Sequence, residues 1–261
     1  MATVRPFRAL RYTKAPGPLE QLVAPPYDVI DPAERARLQA QSEANAVHLI
    51  LPTGERPYES AAQLLASWQQ RGWLATDASP GMLVYAQRFS IDGRTSERFG
   101  LLAALKLEPL DGGVVLPHEK TMEGPKEDRL RLVRATRANL SPIFGLVDAP
   151  LDLPGLASTG ALEASFTDRA GVAHRLWRIA DEATLRAVTG RLASEQVFIA
   201  DGHHRYTISL AYRDERRAAD GNPQGLRNYD FIFFYLCSTR DPGLVVLPTH
   251  RLLRDAPPEA D

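Results

Sequence analysis

At 261 residues, with 44% hydrophobic and 24% charged side chains, the chain has enough apolar material to bury a full core, as one large domain or two intimate ones. Its formal net charge of -1 speaks against DNA or RNA as a general partner, since such binders carry a basic face. No apolar run approaches the roughly 20 residues of a membrane helix, the N-terminus lacks a signal peptide's apolar core, and the single Cys237 excludes a disulfide framework, so a reduced cytoplasm without membrane contact is the expected setting.

In chain order, Ala24-Pro25-Pro26-Tyr27-Asp28 predicts an extended, proline-restrained entry. Asp31, Pro32 and Glu34 then form a helix-start pattern, and the helix should run to about Ser42. The apolar segment Ala46 to Leu51 reads as a short strand ending at Pro52. Tyr58, Ala61, Ala62, Leu65 and Trp68 recur at helical spacing up to Gln70. Two strands, Met82 to Ile91 and Thr95 to Leu107, flank the hairpin signal Asp92-Gly93. A strand at Val114 to Leu116 leads into Pro117-His118-Glu119-Lys120-Thr121. A helix over Lys126 to Arg137 turns Leu130 and Val133 inward, and Ile143 to Val147 is a strand.

Residues Ala149 to Gly160, rich in Pro, Gly and small side chains, mark the expected boundary between regions 1–150 and 151–261, which together should make one intimate unit. Beyond it come a hairpin (Leu162 to Phe166 and Val172 to Ile179), a helix capped by Asp181 and reaching about Leu192, and a strand from Gln196 to Ala200. The loop Asp201-Gly202-His203-His204 follows, then a helix from about Arg205 to Arg217. Tyr229 to Ser238 is a near-continuous apolar run, as in a central strand, and Leu244 to Leu247 reads as a last strand. Interleaved strands and helices, with hairpins among them, predict an α/β (mixed α+β) fold: a mixed sheet flanked by helices.

Two clusters could carry chemistry. In Asp201-Gly202-His203-His204-Arg205 a buried strand meets a helix start, whose unpaired amides and dipole favour phosphates. Gly202 admits close approach of the backbone, Arg205 adds a planar fork, and His203 and His204 can donate to phosphate or relay protons. In the second cluster Glu119 can act as a general base, with His118 beside it and Lys120 or Lys126 neutralising charge on a transferring phosphoryl group. Arginine is the default cation of this chain, and two of the only four lysines, Lys14, Lys106, Lys120 and Lys126, fall in that one short stretch. Tyr27, Asp28, Asp128, Arg129, Asn139, Ser141, His250 and Arg251 either line a pocket around these clusters or serve turns and caps. Trp68 and Phe231 to Tyr235 are expected in the core, Cys237 is an expected inert buried thiol, and His48 and His174 receive no role.

The Asp201-Gly202-His203-His204-Arg205 turn resembles the phosphate-binding motif of the ParB/sulfiredoxin-like superfamily, which includes the partition protein ParB, sulfiredoxin and the free serine kinases. Over nearly the whole chain, Ala24-Pro25-Pro26-Tyr27-Asp28-Val29-Ile30, Leu116-Pro117-His118-Glu119-Lys120-Thr121, Gly124-Pro125-Lys126-Glu127-Asp128-Arg129, Asn139-Leu140-Ser141-Pro142-Ile143-Phe144, Ile199 to Tyr206 and Pro248-Thr249-His250-Arg251 occur in an order that resembles the domain of unknown function 1015 family. Members of that family continue past the last motif, which implies a truncated version here. The superfamily resemblance implies a ParB/sulfiredoxin-like core with an N-terminal extension, and a small-molecule phosphotransferase, free serine kinase-like, using ATP or ADP (or CTP) with Mg²⁺ and a glutamate base, here Glu119. Two other functions compete: a metal-dependent hydrolase or nuclease using His203, His204, His118, Glu119 and Asp201 as ligands, and a non-catalytic ParB-like nucleotide-binding module. The last lacks ParB's helix-turn-helix.

Overall fold

The computed structural model describes residues 1–119 and 124–247, with the backbone alone for 124–126. Its first part comprises β1 (Val4–Arg5), β2 (Leu10–Tyr12), α1 (Leu19–Leu22), a 3₁₀ turn at Tyr27–Val29, α2 (Pro32–Gln41), α3 (Val47–Ile50), α4 (Pro57–Gln70) and β3 (Leu74–Thr76). Then come β4 (Met82–Ile91), β5 (Arg94–Lys106), β6 (Val115–Leu116), α5 (Gly124–Thr136), β7 (Ile143–Val147) and α6 (Leu153–Thr159). The last part holds β8 (Ala161–Thr167), β9 (Ala173–Ile179), α7 (Glu182–Leu192), β10 (Val197–Asp201), α8 (His203–Ala219), a 3₁₀ turn at Asn228–Asp230 and β11 (Phe231–Ser238).

The main sheet is nine-stranded and mixed, in the order β6-β10-β7-β11-β5-β4-β9-β8, with β1 also paired to β5. Strands from either side of residue 150 interleave in it: β10 lies between β6 and β7, and β11 between β7 and β5. The near-continuously buried β11 occupies an interior position, because an unbroken apolar run needs cover on both faces. β10 is parallel to β6 and antiparallel to β7, while β11 is parallel to β7 and antiparallel to β5. One face of the sheet packs under Leu153 and Ala157 of α6, Leu185, Val188 and Leu192 of α7, and Tyr206 of α8. A smaller core, built on Leu22, Leu65, Trp68 and Leu74, joins α1, α4 and β3. Among the described residues no helix is long and apolar enough to cross a membrane.

Local chemistry explains the well-anticipated elements. The β4–β5 hairpin turns on Asp92 and Gly93, both at positive φ (50° and 75°), which a tight two-residue turn matched to strand twist requires. α2 and α7 start where Asp31 and Asp181 accept the amides of Glu34 and Thr184 at 2.7 and 2.8 Å.

Three expectations are corrected. Residues 46–51 contain helix α3 rather than a strand. The buried Asn45 side chain accepts the Val47 amide at 2.9 Å and donates to Gln21 O and Val23 O, which satisfies the turn locally where a short apolar run is ambiguous. Residues 149–160 are no spacer: Asp152 caps α6 through the Gly155 amide, and Ala149, Leu153 and Ala157 are buried. Leu244 to Leu247 form no strand; the Leu244 amide closes a turn onto Asp241 O, and Val246 and Leu247 are exposed.

Candidate functional site

Strand topology brings two distant motifs to one corner of the sheet. In the parallel β6–β10 pair Leu116 lies opposite Phe198, so the chain leaves both strands in the same direction at neighbouring points. One exit becomes Pro117-His118-Glu119 and the other Asp201-Gly202-His203. In parallel arrangements the ground beyond the carboxyl ends of strands is where ligands bind. Gly202, at φ +96°, makes the turn that an L side chain rarely adopts, and the guanidinium of Arg205 lies against the place its Cβ would fill.

A hydrogen-bond chain fixes the histidines. The ring Nδ1–H of His118 donates to the Ile199 carbonyl at 2.7 Å, so a neutral His118 keeps its lone pair on Nε2. The His118 backbone N–H donates to His203 Nε2 at 3.2 Å, so a neutral His203 carries its proton on Nδ1. That Nδ1 lies 3.9 Å from one carboxylate oxygen of Glu119, and His118 Nε2 lies 3.8 Å from the other. The two rings meet edge to face, with centroids 4.4 Å apart. Burial, reinforced by the neighbouring His118, pushes the pKa of His203 below its ordinary value, so His203 is neutral near pH 7. His203 is buried beneath the corner while the Glu119 side chain stands 67% exposed.

The helix starts earlier than its sequence suggests, and this divides the motif. With α8 beginning at His203 rather than at about Arg205, His203 and Arg205 are two helical positions apart, or about 200° around the axis. His203 therefore faces Glu119, and Arg205 faces the other way. The Arg205 guanidinium binds the Asp201 carboxylate and the Pro142 carbonyl, with Ser141 Oγ at 3.4 Å, and its side chain is only 16% exposed. It is a clamp that holds the turn. Asp201 is thereby engaged sideways, and among the described residues α8 has no side-chain cap; the first hydrogen bond into the helix runs from the Tyr206 amide to Gly202 O. His204 lies between the two sides, and its buried Nδ1 finds no hydrogen-bond partner among the described residues.

On the Arg205 side, Tyr27, Arg129, Asn139, Ser141 and Arg205 line a common cleft of about 60 Å³. The Arg129 guanidinium lies 4.8 Å from the Tyr27 ring centroid and also binds Asp128 and Ile50 O. Asp128 in turn accepts the Tyr58 hydroxyl at 2.6 Å, a partner the sequence did not single out. Half-burial and the nearby Asp28 charge raise the Tyr27 pKa. Asp28 itself is exposed and outside the cleft lining. Lys120, His250 and Arg251, and the side chain of Lys126, lie outside the described residues.

The family model described as "Protein of unknown function (DUF1015)" matches residues 4–261. Searches of curated proteins and of solved structures return no significant match.

Proposed function

The chain belongs to the DUF1015 family, and from that premise we propose that it is a phosphoryl-transfer enzyme acting on a small hydroxyl-bearing metabolite, with ATP or ADP (or CTP) and Mg²⁺. The observation that carries this reading is the uncapped start of the 17-residue helix α8 with the Glu119–His203 pair beside it. Amides at such a start, together with the helix dipole, attract phosphate oxygens, and the left-handed Gly202 makes the turn that presents them. Glu119 takes the proton of the acceptor hydroxyl as that oxygen attacks the terminal phosphorus. The bond from phosphorus to the bridging oxygen breaks, and the nucleotide leaves with the electron pair. His203, held as the Nδ1–H tautomer, turns that N–H toward the Glu119 carboxylate 3.9 Å away. A bound Mg²⁺ supplies neutralisation of phosphate charge. Arg205 keeps Asp201 off the amides and positions the turn.

Binding is tested by melting the protein with millimolar ATP, ADP or CTP and Mg²⁺; a ligand at 100 times its Kd stabilises by about 2.7 kcal/mol. An unmoved melting temperature with all three defeats the proposal.

One observation favours a second reading, a metal-dependent hydrolase: ligand atoms of His118, Glu119 and His203 lie within 4.8 Å of one another. Coordination through His203 Nδ1 would require its proton to move to Nε2, which faces the His118 amide, so the present hydrogen bond favours the acid–base arrangement. Titration with Zn²⁺ or Mn²⁺ decides between them: stoichiometric binding that is lost in His203→Ala supports the metal, and no binding removes it.

A further inference from the structure

The side of α8 that carries Arg205 continues past the turn. Ser209, Tyr212 and Arg216 follow at helical spacing, and with Arg205 they line two adjoining clefts between α8 and α5. The clefts share Val133, Ala138, Asn139 and Ser209, so the small one beside Arg205 adjoins a second of about 320 Å³. That volume falls within the roughly 300–1,000 Å³ of small-molecule sites. Three rings line the larger cleft, those of Tyr212, Tyr229 and Phe231. Two side-chain amides join them. Asn228 accepts a hydrogen bond from Arg5 at 3.0 Å and so keeps its NH₂ as a donor, while Asn139 makes no side-chain hydrogen bond among the described residues.

Arg137 is the most telling member of the lining. It follows the last residue of α5 in the left-handed region, φ 51°, where glycine is the favoured residue. Its guanidinium makes no ion pair or side-chain hydrogen bond among the described residues, although it lines the cleft. Arg216, by contrast, is paired with Asp220 at 2.8 Å. Arg137 is exposed, and a solvated cation with no carboxylate partner among the described residues, set beside aromatic rings, suits a planar, negatively charged ligand.

We propose that the α5–α8 cleft is a nucleoside site. The ring stacks on Tyr212, Asn139 and Asn228 read the ring edge, Arg137 meets negative charge on the ligand, and the phosphates extend into the smaller cleft toward its Arg205 end. The last element rests on reading that turn as a phosphate site; the ring site stands on its own lining.

Calorimetric titration of the whole chain with ADP, inorganic pyrophosphate and the four ribonucleosides, all with Mg²⁺, tests it. ADP should bind at least about tenfold more tightly than pyrophosphate, and Tyr212→Ala should weaken ADP by about tenfold while leaving pyrophosphate within about twofold, as removal of one stacking ring does. Arg137→Gly should also weaken ADP and yet raise the melting temperature, since it relieves the left-handed backbone; a loss of binding in a more stable protein is not misfolding. ADP affinity unchanged in both variants overturns the proposal. So does pyrophosphate binding without any nucleoside effect, which leaves the phosphate reading standing. Nucleoside binding sensitive to Tyr212→Ala, with no pyrophosphate binding, keeps the ring site and sinks the phosphate reading. No binding of any probe ends both.

Discussion

Helices α7 and α8 both start near an aspartate, and the two starts are wired differently. At α7, Asp181 is the cap itself: its carboxylate accepts both the amide and the hydroxyl of Thr184 at 2.8 Å, and these bonds hold its pKa below the ordinary 3.8. At α8 the aspartate sits one residue earlier, the cap position belongs to Gly202 in a left-handed conformation, and the carboxylate of Asp201 turns to Arg205. One start is closed by its own side chain. The other has no side-chain cap among the described residues. A displacement of one residue, made possible by a glycine, separates a helix start closed by its own aspartate from the one proposed to receive phosphate.

The comparison can be broken or sharpened experimentally, beginning with the largest effect. Glu119→Gln should lower phosphoryl transfer by about 10²–10⁴-fold, the usual contribution of a positioned general base, while nucleotide affinity stays within a few-fold. A variant with full turnover would remove Glu119 from the chemistry. Next, Arg205→Ala frees Asp201 and strips the Pro142 carbonyl of its charged donor, for a loss of roughly 1–3 kcal/mol in urea denaturation. Released to the amides, Asp201 should then compete with phosphate, so nucleotide affinity falls as well; stability lost with affinity intact would show the clamp to be structural only.

The pH response should separate the two helix starts further. His203 has a folded-state pKa below the ordinary 6.5, so protonation costs more in the folded chain. Stability is then complete above about pH 6.5 and declines as pH falls below that value, whereas the Asp181 contribution is lost only as pH falls through the acid range below 3.8. His203→Asn should flatten the decline that begins as pH falls below about 6.5 and leave the acid limb in place, measured by melting across pH. An unchanged slope in that window would mean that His203 does not titrate there. The smallest effect is Asp181→Ala, expected to lower the melting temperature by about 2–4 °C with no change in nucleotide binding. Any change in binding would argue that α7 also serves the site.

Much of this architecture could be read from local signals. Asp-Gly at the hairpin tip, aspartates before α2 and α7, and the unbroken apolar run of β11 each leave one satisfactory local conformation or one burial environment. The short strands β1 to β3, of two or three residues each, carry no periodicity of their own and exist because a partner strand supplies their hydrogen bonds. The segment around α3 misled for the opposite reason, because a single buried side chain, Asn45, settles an otherwise ambiguous apolar run. In the site, the residue types in Pro-His-Glu and Asp-Gly-His-His-Arg were legible as chemistry. Their division was not: the helix begins two residues before the periodic pattern suggests, and this sends His203 and Arg205 to opposite sides. The spacing of Arg205, Ser209, Tyr212 and Arg216 was present in the sequence, but only the neighbouring α5 turns that stripe into a cleft.

By itself, then, the sequence determined the mixed α/β class, most element positions and the two stretches rich in catalytic residue types, because capping, turn chemistry and apolar periodicity act over a few residues. Tertiary structure alone decided that His118 and Glu119 meet His203, 85 residues apart in the case of the two histidines, and that a cleft opens beside Arg137; strand pairing and helix packing bring those segments together, and no local interaction encodes them. The Arg205–Asp201 pair is itself local, four residues apart, and the fold adds the Pro142 carbonyl that holds Arg205 there.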